Sequence, residues 1–106
     1  MALGADACNS ARAMMMSIGC IQALRCNLND CPVGVATQKE SLRQRIQIAS
    51  SAKQLSNYLL ATNELIKIIA RSCGHNDVKK FNFKDLSTFN HEMHRLTGIP
   101  YAGINA

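Results

Sequence analysis

Cys20, Cys26 and Cys31 stand in a C-x5-C-x4-C-P run, Cys20-Ile-Gln-Ala-Leu-Arg-Cys26-Asn-Leu-Asn-Asp-Cys31-Pro32, directly behind a Met-rich apolar segment. Thiolate sulfur is a soft donor that selects iron–sulfur clusters, zinc or copper(I) over magnesium and calcium. A structural zinc site is usually closed by two short C-x2-4-C or H-x3-5-H pairs, and no such pair is present. Iron–sulfur clusters are held by cysteine thiolates, and a cubane short of one thiolate can lose a corner iron to give a [3Fe-4S] centre, so three cysteines suit three irons. A plainer reading stays open beside this one: reduced cysteines are small, apolar and readily buried as core filler. A disulfide framework fits less well, because five cysteines leave one unpaired and the chain is helix-like rather than loop-rich.

The three thiols need a bent backbone beneath them. On an ideal helix the step from Cys20 to Cys26 covers ~9 Å of rise and ~600° of rotation, which points the two sulfurs in different directions. Asn27, Asn29, Asp30, Pro32 and Gly34 supply the turn chemistry that lets a chain wrap a compact inorganic core. Upstream, the small and apolar run from Met1 to Cys8 reads as a short buried strand. Asn9 and Ser10 then offer capping side chains for a helix from Ala11 to Ile18, which Gly19 breaks. A lone strand needs neighbours for its backbone donors and acceptors, so the missing partners point to missing sequence.

Downstream, Ile21 to Arg25 makes at most a turn of helix, Val33 to Gln38 is apolar and ambiguous, and Glu40 to Gln47 reads as a polar helical connector. Leu55, Leu59, Thr62, Leu65, Ile66, Ile69 and Cys73 recur at three- and four-residue steps. That spacing predicts a helix from about Ser51 to Cys73, capped by Ser50 or Ser51 and ended by Gly74. Its apolar stripe is a packing surface, for the rest of a parent domain or for a partner helix. Asn82 to Ser87 is turn-like, Thr88 to Leu96 forms a second helix, and Gly98 to Gly103 is loop. His91, Glu92 and His94 fail the H-E-x-x-H zinc pattern because Arg95 stands where the second histidine is needed, and they read as surface residues.

With 106 residues the chain is the size of one small domain. The net charge of +5 is spread over scattered lysines and arginines, and the five aromatic residues follow no base-stacking pattern, which argues against nucleic acid as a partner. Ser17-Ile18-Gly19-Cys20 superficially looks like a lipoprotein cleavage site, yet Asp6 sits early and only Ala13 to Ile18 separate Arg12 from the cysteine. No apolar run approaches the ~20 residues that span a bilayer. The expectation is a cytoplasmic protein with no membrane partner.

Ala2-Leu-Gly-Ala-Asp-Ala-Cys-Asn-Ser-Ala-Arg12, Gly19-Cys20, the cysteine spacing and Cys31-Pro-Val-Gly-Val-Ala-Thr-Gln38 together resemble the FMN-binding domain of glutamate synthase and its FMN-binding glutamate synthase relatives. The resemblance is dense over residues 2 to 38 and fades to a general helical likeness beyond. It implies a (β/α)8 TIM barrel that binds FMN and a [3Fe-4S] cluster, passes electrons between them, and reduces an imine formed from ammonia and 2-oxoglutarate to L-glutamate. On that resemblance Cys20, Cys26 and Cys31 are the cluster ligands, Asp6 to Cys8 matches the eighth barrel strand, and Asn9, Ser10, Ala11 and Arg12 fall where such barrels hold a flavin phosphate. Barrel enzymes often bind phosphate after strands seven and eight, at a helix N-terminus with free N–H groups. An ordinary helix cap at Asn9 or Ser10 is the competing reading of that turn.

A (β/α)8 barrel typically takes ~250 residues. The resemblance therefore implies an α-rich C-terminal fragment of an α/β barrel: last strand, cysteine loop and following helices. Residues 1–38 would end the FMN/[3Fe-4S] barrel domain and residues 39–106 would form its C-terminal helical extension. Met1 then corresponds to an internal position, and the partner is the remainder of the barrel or a separately encoded subunit. No catalytic residue lies in the chain, and alone it is not expected to be catalytic. Two other classes remain: a small helical interaction module with incidental cysteines, and a free-standing iron–sulfur electron carrier. Cys8 and Cys73 carry no assigned role beyond packing.

Overall fold

The computed structural model describes residues 1–103. The chain forms two compact units, Asn9–Asn63 and a second made of Met1–Cys8 with the chain from Glu64 onward. In order, the helices are α1 (Arg12–Ser17), α2 (Glu40–Arg43), α3 (Ile48–Ser72) and α4 (His91–Thr97), with 3₁₀ turns at Cys26–Leu28, Val78–Lys80 and Phe83–Asp85.

Among the described residues no strand forms, and the sheet-like pairing is a single parallel bridge between Thr88 and Tyr101. The strand expected at Asp6 to Cys8 is therefore not made. An extended segment without a neighbour leaves its N–H and C=O groups to water, which removes the reason to stay extended. Met1, Ala2 and Gly4 to Asp6 instead border a shallow concavity with Lys79 and Phe81–Phe83.

The Asn9–Asn63 unit is organised by backbone. α1 ends in a Schellman motif: Gly19, at φ +111°, donates its N–H to the Met16 carbonyl, and Cys20 donates to that of Met15, both at 3.0 Å. α3 begins three residues earlier than the serines predict, so Ser51 lies inside its first turn. There the buried Ser51 hydroxyl donates to the Ile18 carbonyl at 3.2 Å, tying α3 to the end of α1. Arg45 reaches back to the Pro32 carbonyl at 2.8 Å. The connector expected over Glu40 to Gln47 is helical only at Glu40–Arg43 and then tightens through two turn bonds, Arg45 to Leu42 and Ile46 to Arg43. Cys31, Gly34 and Thr37 are buried at every third position, which makes this loop the interior of the unit.

In the second unit α3 ends in another Schellman motif, with Gly74 at φ +77°, its N–H to Arg71 at 2.9 Å and that of His75 to Ala70 at 2.8 Å. His75 Nε2 meets Asp85 Oδ2 at 2.8 Å, and Asp85 also completes a capping box with Asn82. α4 starts one turn later than expected, where Asn90 accepts the Met93 N–H, and stops at Gly98, φ +72°. Among the described residues no helix is long and apolar enough to cross a membrane.

Candidate metal centre

Each cysteine reaches the site by a different local device. Cys20 follows the left-handed Gly19, so the end of α1 fixes where its Cα lies. Its sulfur accepts the Gln22 N–H at 3.5 Å. Between Cys20 and Cys26 the chain is not helical, and Gln22 (φ +57°) and Leu24 (φ +55°) both occupy left-handed backbone. Left-handed leucine is uncommon, because its Cβ crowds the following carbonyl. Cys26 opens the 3₁₀ turn Cys26–Leu28, which Asn29 ends in left-handed geometry at φ +52°.

Cys31 is the buried member of the trio, at 7% exposure. The Ala36 backbone N–H holds its thiol below the ordinary value against the opposing effect of burial, and the N–H groups of Val33, Val35 and Gly34 act in the same direction. Successive N–H groups turned toward one sulfur favour its anion, the form that binds metal. Gly34 makes this wrap possible: at φ +83° it lies so close to α2 that a Cβ would collide with the Leu42 carbonyl oxygen. Asp30 beside it bonds Arg25 and Lys39, and the Arg25 hydrogen bond above all holds its carboxyl below the usual range.

Cys20, Cys26 and Cys31 all line one concavity of about 400 Å³ together with Ala11 and Arg12. Asn9 and Ser10 are exposed and outside it, and α1 is capped at Ala11 without any side-chain bond, so the capping role considered for Asn9 or Ser10 is not formed. All five cysteines are free thiols. Among the described residues no three His, Cys, Asp or Glu side chains are gathered closely enough to hold a metal ion. The donor set suits an iron–sulfur cluster in softness, number and the charge preference at Cys31, while the trio itself is spread around the concavity.

The histidines of the tail have structural partners. His91 stacks on Tyr101 with centroids 4.4 Å apart, His94 Nδ1 lies 2.7 Å from the Ile99 carbonyl, and Glu92 pairs with Arg95. Sequence reasoning treated Asn29 as turn chemistry and gave Thr37 no role. The geometry joins them: the Thr37 hydroxyl lies 2.9 Å from the Asn29 carbonyl, and Asn29 Oδ1 accepts the Gln38 N–H. An Asn in the turn and a Thr eight positions on were the only signal available.

These features define a helical chain with three thiols around one hollow. Residues 1–76 match the family model described as a conserved region in glutamate synthase. The glutamate synthase large subunit-like protein YerD of Bacillus subtilis is 39% identical over 82 residues, which cover 77% of this chain and 16% of that protein. The ferredoxin-dependent glutamate synthase of Cyanidium caldarium is 38% identical over 83% of this chain and 6% of its own length. Ferredoxin-dependent glutamate synthase 1 of Arabidopsis thaliana, chloroplastic/mitochondrial, is 38% identical over 73% of this chain and 5% of its own. The chain belongs to the glutamate synthase family, and it spans only a small part of these relatives. No solved structure matches it. Asn9–Arg12 and the three cysteines fall inside the matched residues.

Proposed function

We propose that this chain is the cysteine-bearing segment of a glutamate synthase-type oxidoreductase and holds a [3Fe-4S] cluster through Cys20, Cys26 and Cys31. The enzyme it serves forms L-glutamate from 2-oxoglutarate and the nitrogen of ammonia or glutamine, with FMN beside the cluster. The observation that carries this reading is that the three cysteines of one motif, all within the family-matched residues, line a single concavity. When bound, the cluster supplies one-electron transfer next to the flavin. The chain contributes three sulfurs, a ring of N–H groups that favours charge at Cys31, and an apolar surround from Ile21, Leu24 and Val33. Iron binding has to draw the three sulfurs together.

The family resemblance assigns the Asn9, Ser10, Ala11 and Arg12 turn to the flavin phosphate, with Arg12 supplying positive charge and Ser10 a hydroxyl; of the four, Ala11 and Arg12 line the concavity of the cysteines. The rest of the (β/α)8 barrel, including the remaining flavin and substrate contacts, comes from further glutamate synthase polypeptide, in the same chain or another. Asp6 to Cys8 becomes extended only when those neighbours pair with it. The working compartment is the cytoplasm.

Anaerobic iron and sulfide reconstitution followed by visible absorption and electron paramagnetic resonance tests the assignment. About three irons per chain are expected, and Cys26→Ser abolishes the signal. A cluster that survives that replacement defeats the ligand assignment. Protein that stays colourless and iron-free although folded with its complementary polypeptide defeats the whole reading.

A further inference from the structure

We propose that Asn29 and Thr37 are positioning residues: together they form a clasp that holds the Cys31 loop shut in the metal-free chain, so that Cys31 is in place before iron arrives. The iron half of this statement rests on the function proposed above, whereas the clasp itself does not.

Asn29 reverses the chain between Cys26 and Cys31. At φ +52° and ψ +35° it occupies left-handed backbone, where asparagine is tolerated better than other residues with a Cβ. Its side chain then points across the loop. Oδ1 accepts the Gln38 N–H, and the Asn29 carbonyl accepts the Thr37 hydroxyl at 2.9 Å, with Oδ1 sharing that proton at 3.1 Å. The Thr37 oxygen in turn accepts the Lys39 N–H at 3.1 Å, which ties the loop to the residue just before α2. These bonds join positions eight and nine apart, and Cys31 lies on the segment they enclose.

Burial makes the clasp consequential. Thr37 is only 9% exposed, so its hydroxyl must be satisfied inside the protein, and Asn29 is the partner that satisfies it. The other side-chain bonds that hold the loop are Asp30 to Arg25 and Lys39 and Arg45 to the Pro32 carbonyl, each made by an exposed cation. Exposed ion pairs contribute little. The closure therefore depends on the neutral clasp rather than on the charges. Opening it frees the segment whose N–H groups face the Cys31 sulfur.

The test uses the full metal-free chain. Thr37→Val deletes the hydroxyl with little change of shape. Asn29→Gly keeps left-handed freedom but deletes Oδ1, and Thr37→Ser restores the hydroxyl. Alkylation of Cys31 by N-ethylmaleimide is followed by peptide mass spectrometry, with the exposed Cys8 as internal reference and helicity read by circular dichroism. Thr37→Val and Asn29→Gly are expected to speed Cys31 labelling about tenfold through local opening. Thr37→Ser stays near wild type, Cys8 and helicity are unchanged, and anaerobic iron uptake weakens in the two disabled variants by a similar factor. Unchanged Cys31 labelling in both disabled variants overturns the clasp whatever iron does. Global loss of helicity in both also overturns it, because the pair would then hold the whole unit rather than the loop. Faster labelling with iron bound as tightly as in wild type overturns the positioning role. Faster labelling in a protein whose wild type takes no iron leaves the clasp standing and removes the cluster reading instead.

Discussion

Gly34 shows how narrowly one position can be constrained. Its left-handed backbone and its contact with the Leu42 carbonyl leave no room for a side chain, so Gly34→Ala is expected to cost about 2 kcal/mol or more, measured by urea unfolding. Asp85 carries a different dependence. The Asn82 N–H first, and the His75 ring second, hold its carboxyl below the ordinary range. A carboxyl depressed on folding contributes stability that is complete above its unfolded value, about pH 4, and is lost as pH falls through the folded one. Asp85→Asn should therefore lower stability at neutral pH and flatten the loss of stability in acid, as read from unfolding midpoints across that range. That Cys20, Cys26 and Cys31 would lie near one another was legible in the sequence, because only ten other residues separate the first from the last and turn formers stand between them. The left-handed Gln22 and Leu24 were not, since neither side chain favours that backbone and only the surrounding turn imposes it.

α3 was the element most visible beforehand, because a helix of this length writes its packing face as a repeat and its end as a glycine. Gly74 does close it, and Gly19 closes α1 in the same way, which is how a residue without a side chain comes to aim Cys20. The start was misread for a physical reason: Ser51 spends its hydroxyl on the Ile18 carbonyl instead of on a cap. The stripe itself is only partly covered. Leu55, Thr62 and Cys73 are half-buried, whereas Leu65 and Ile69 are 60% and 56% exposed. Replacing both by Gln is expected to change the stability of the chain by less than about 0.5 kcal/mol each, and, on the function proposed above, to abolish association with the proposed complementary polypeptide in a pull-down. The strand at Asp6 to Cys8 failed to form because strands, unlike helices, satisfy their backbone only through neighbours.

At the scale of the whole chain the interior is thin. Among the described residues the buried apolar set is Cys31, Ala70 and Ile99, and no large side chain is fully enclosed. Each unit is about half of a 106-residue chain, a size at which a core rarely supplies more than about 3–5 kcal/mol. Urea unfolding of the isolated chain should therefore report no more than about 5 kcal/mol, and, on the function proposed above, addition of the complementary polypeptide should raise the midpoint. Leu24, Ile48, Phe89 and Leu96 meanwhile stand more than two-thirds in water. In a cell, quality-control machinery recognises such oily surface, so on the function proposed above a copy without its complementary polypeptide would be cleared by proteases, and its abundance would track the supply of that polypeptide.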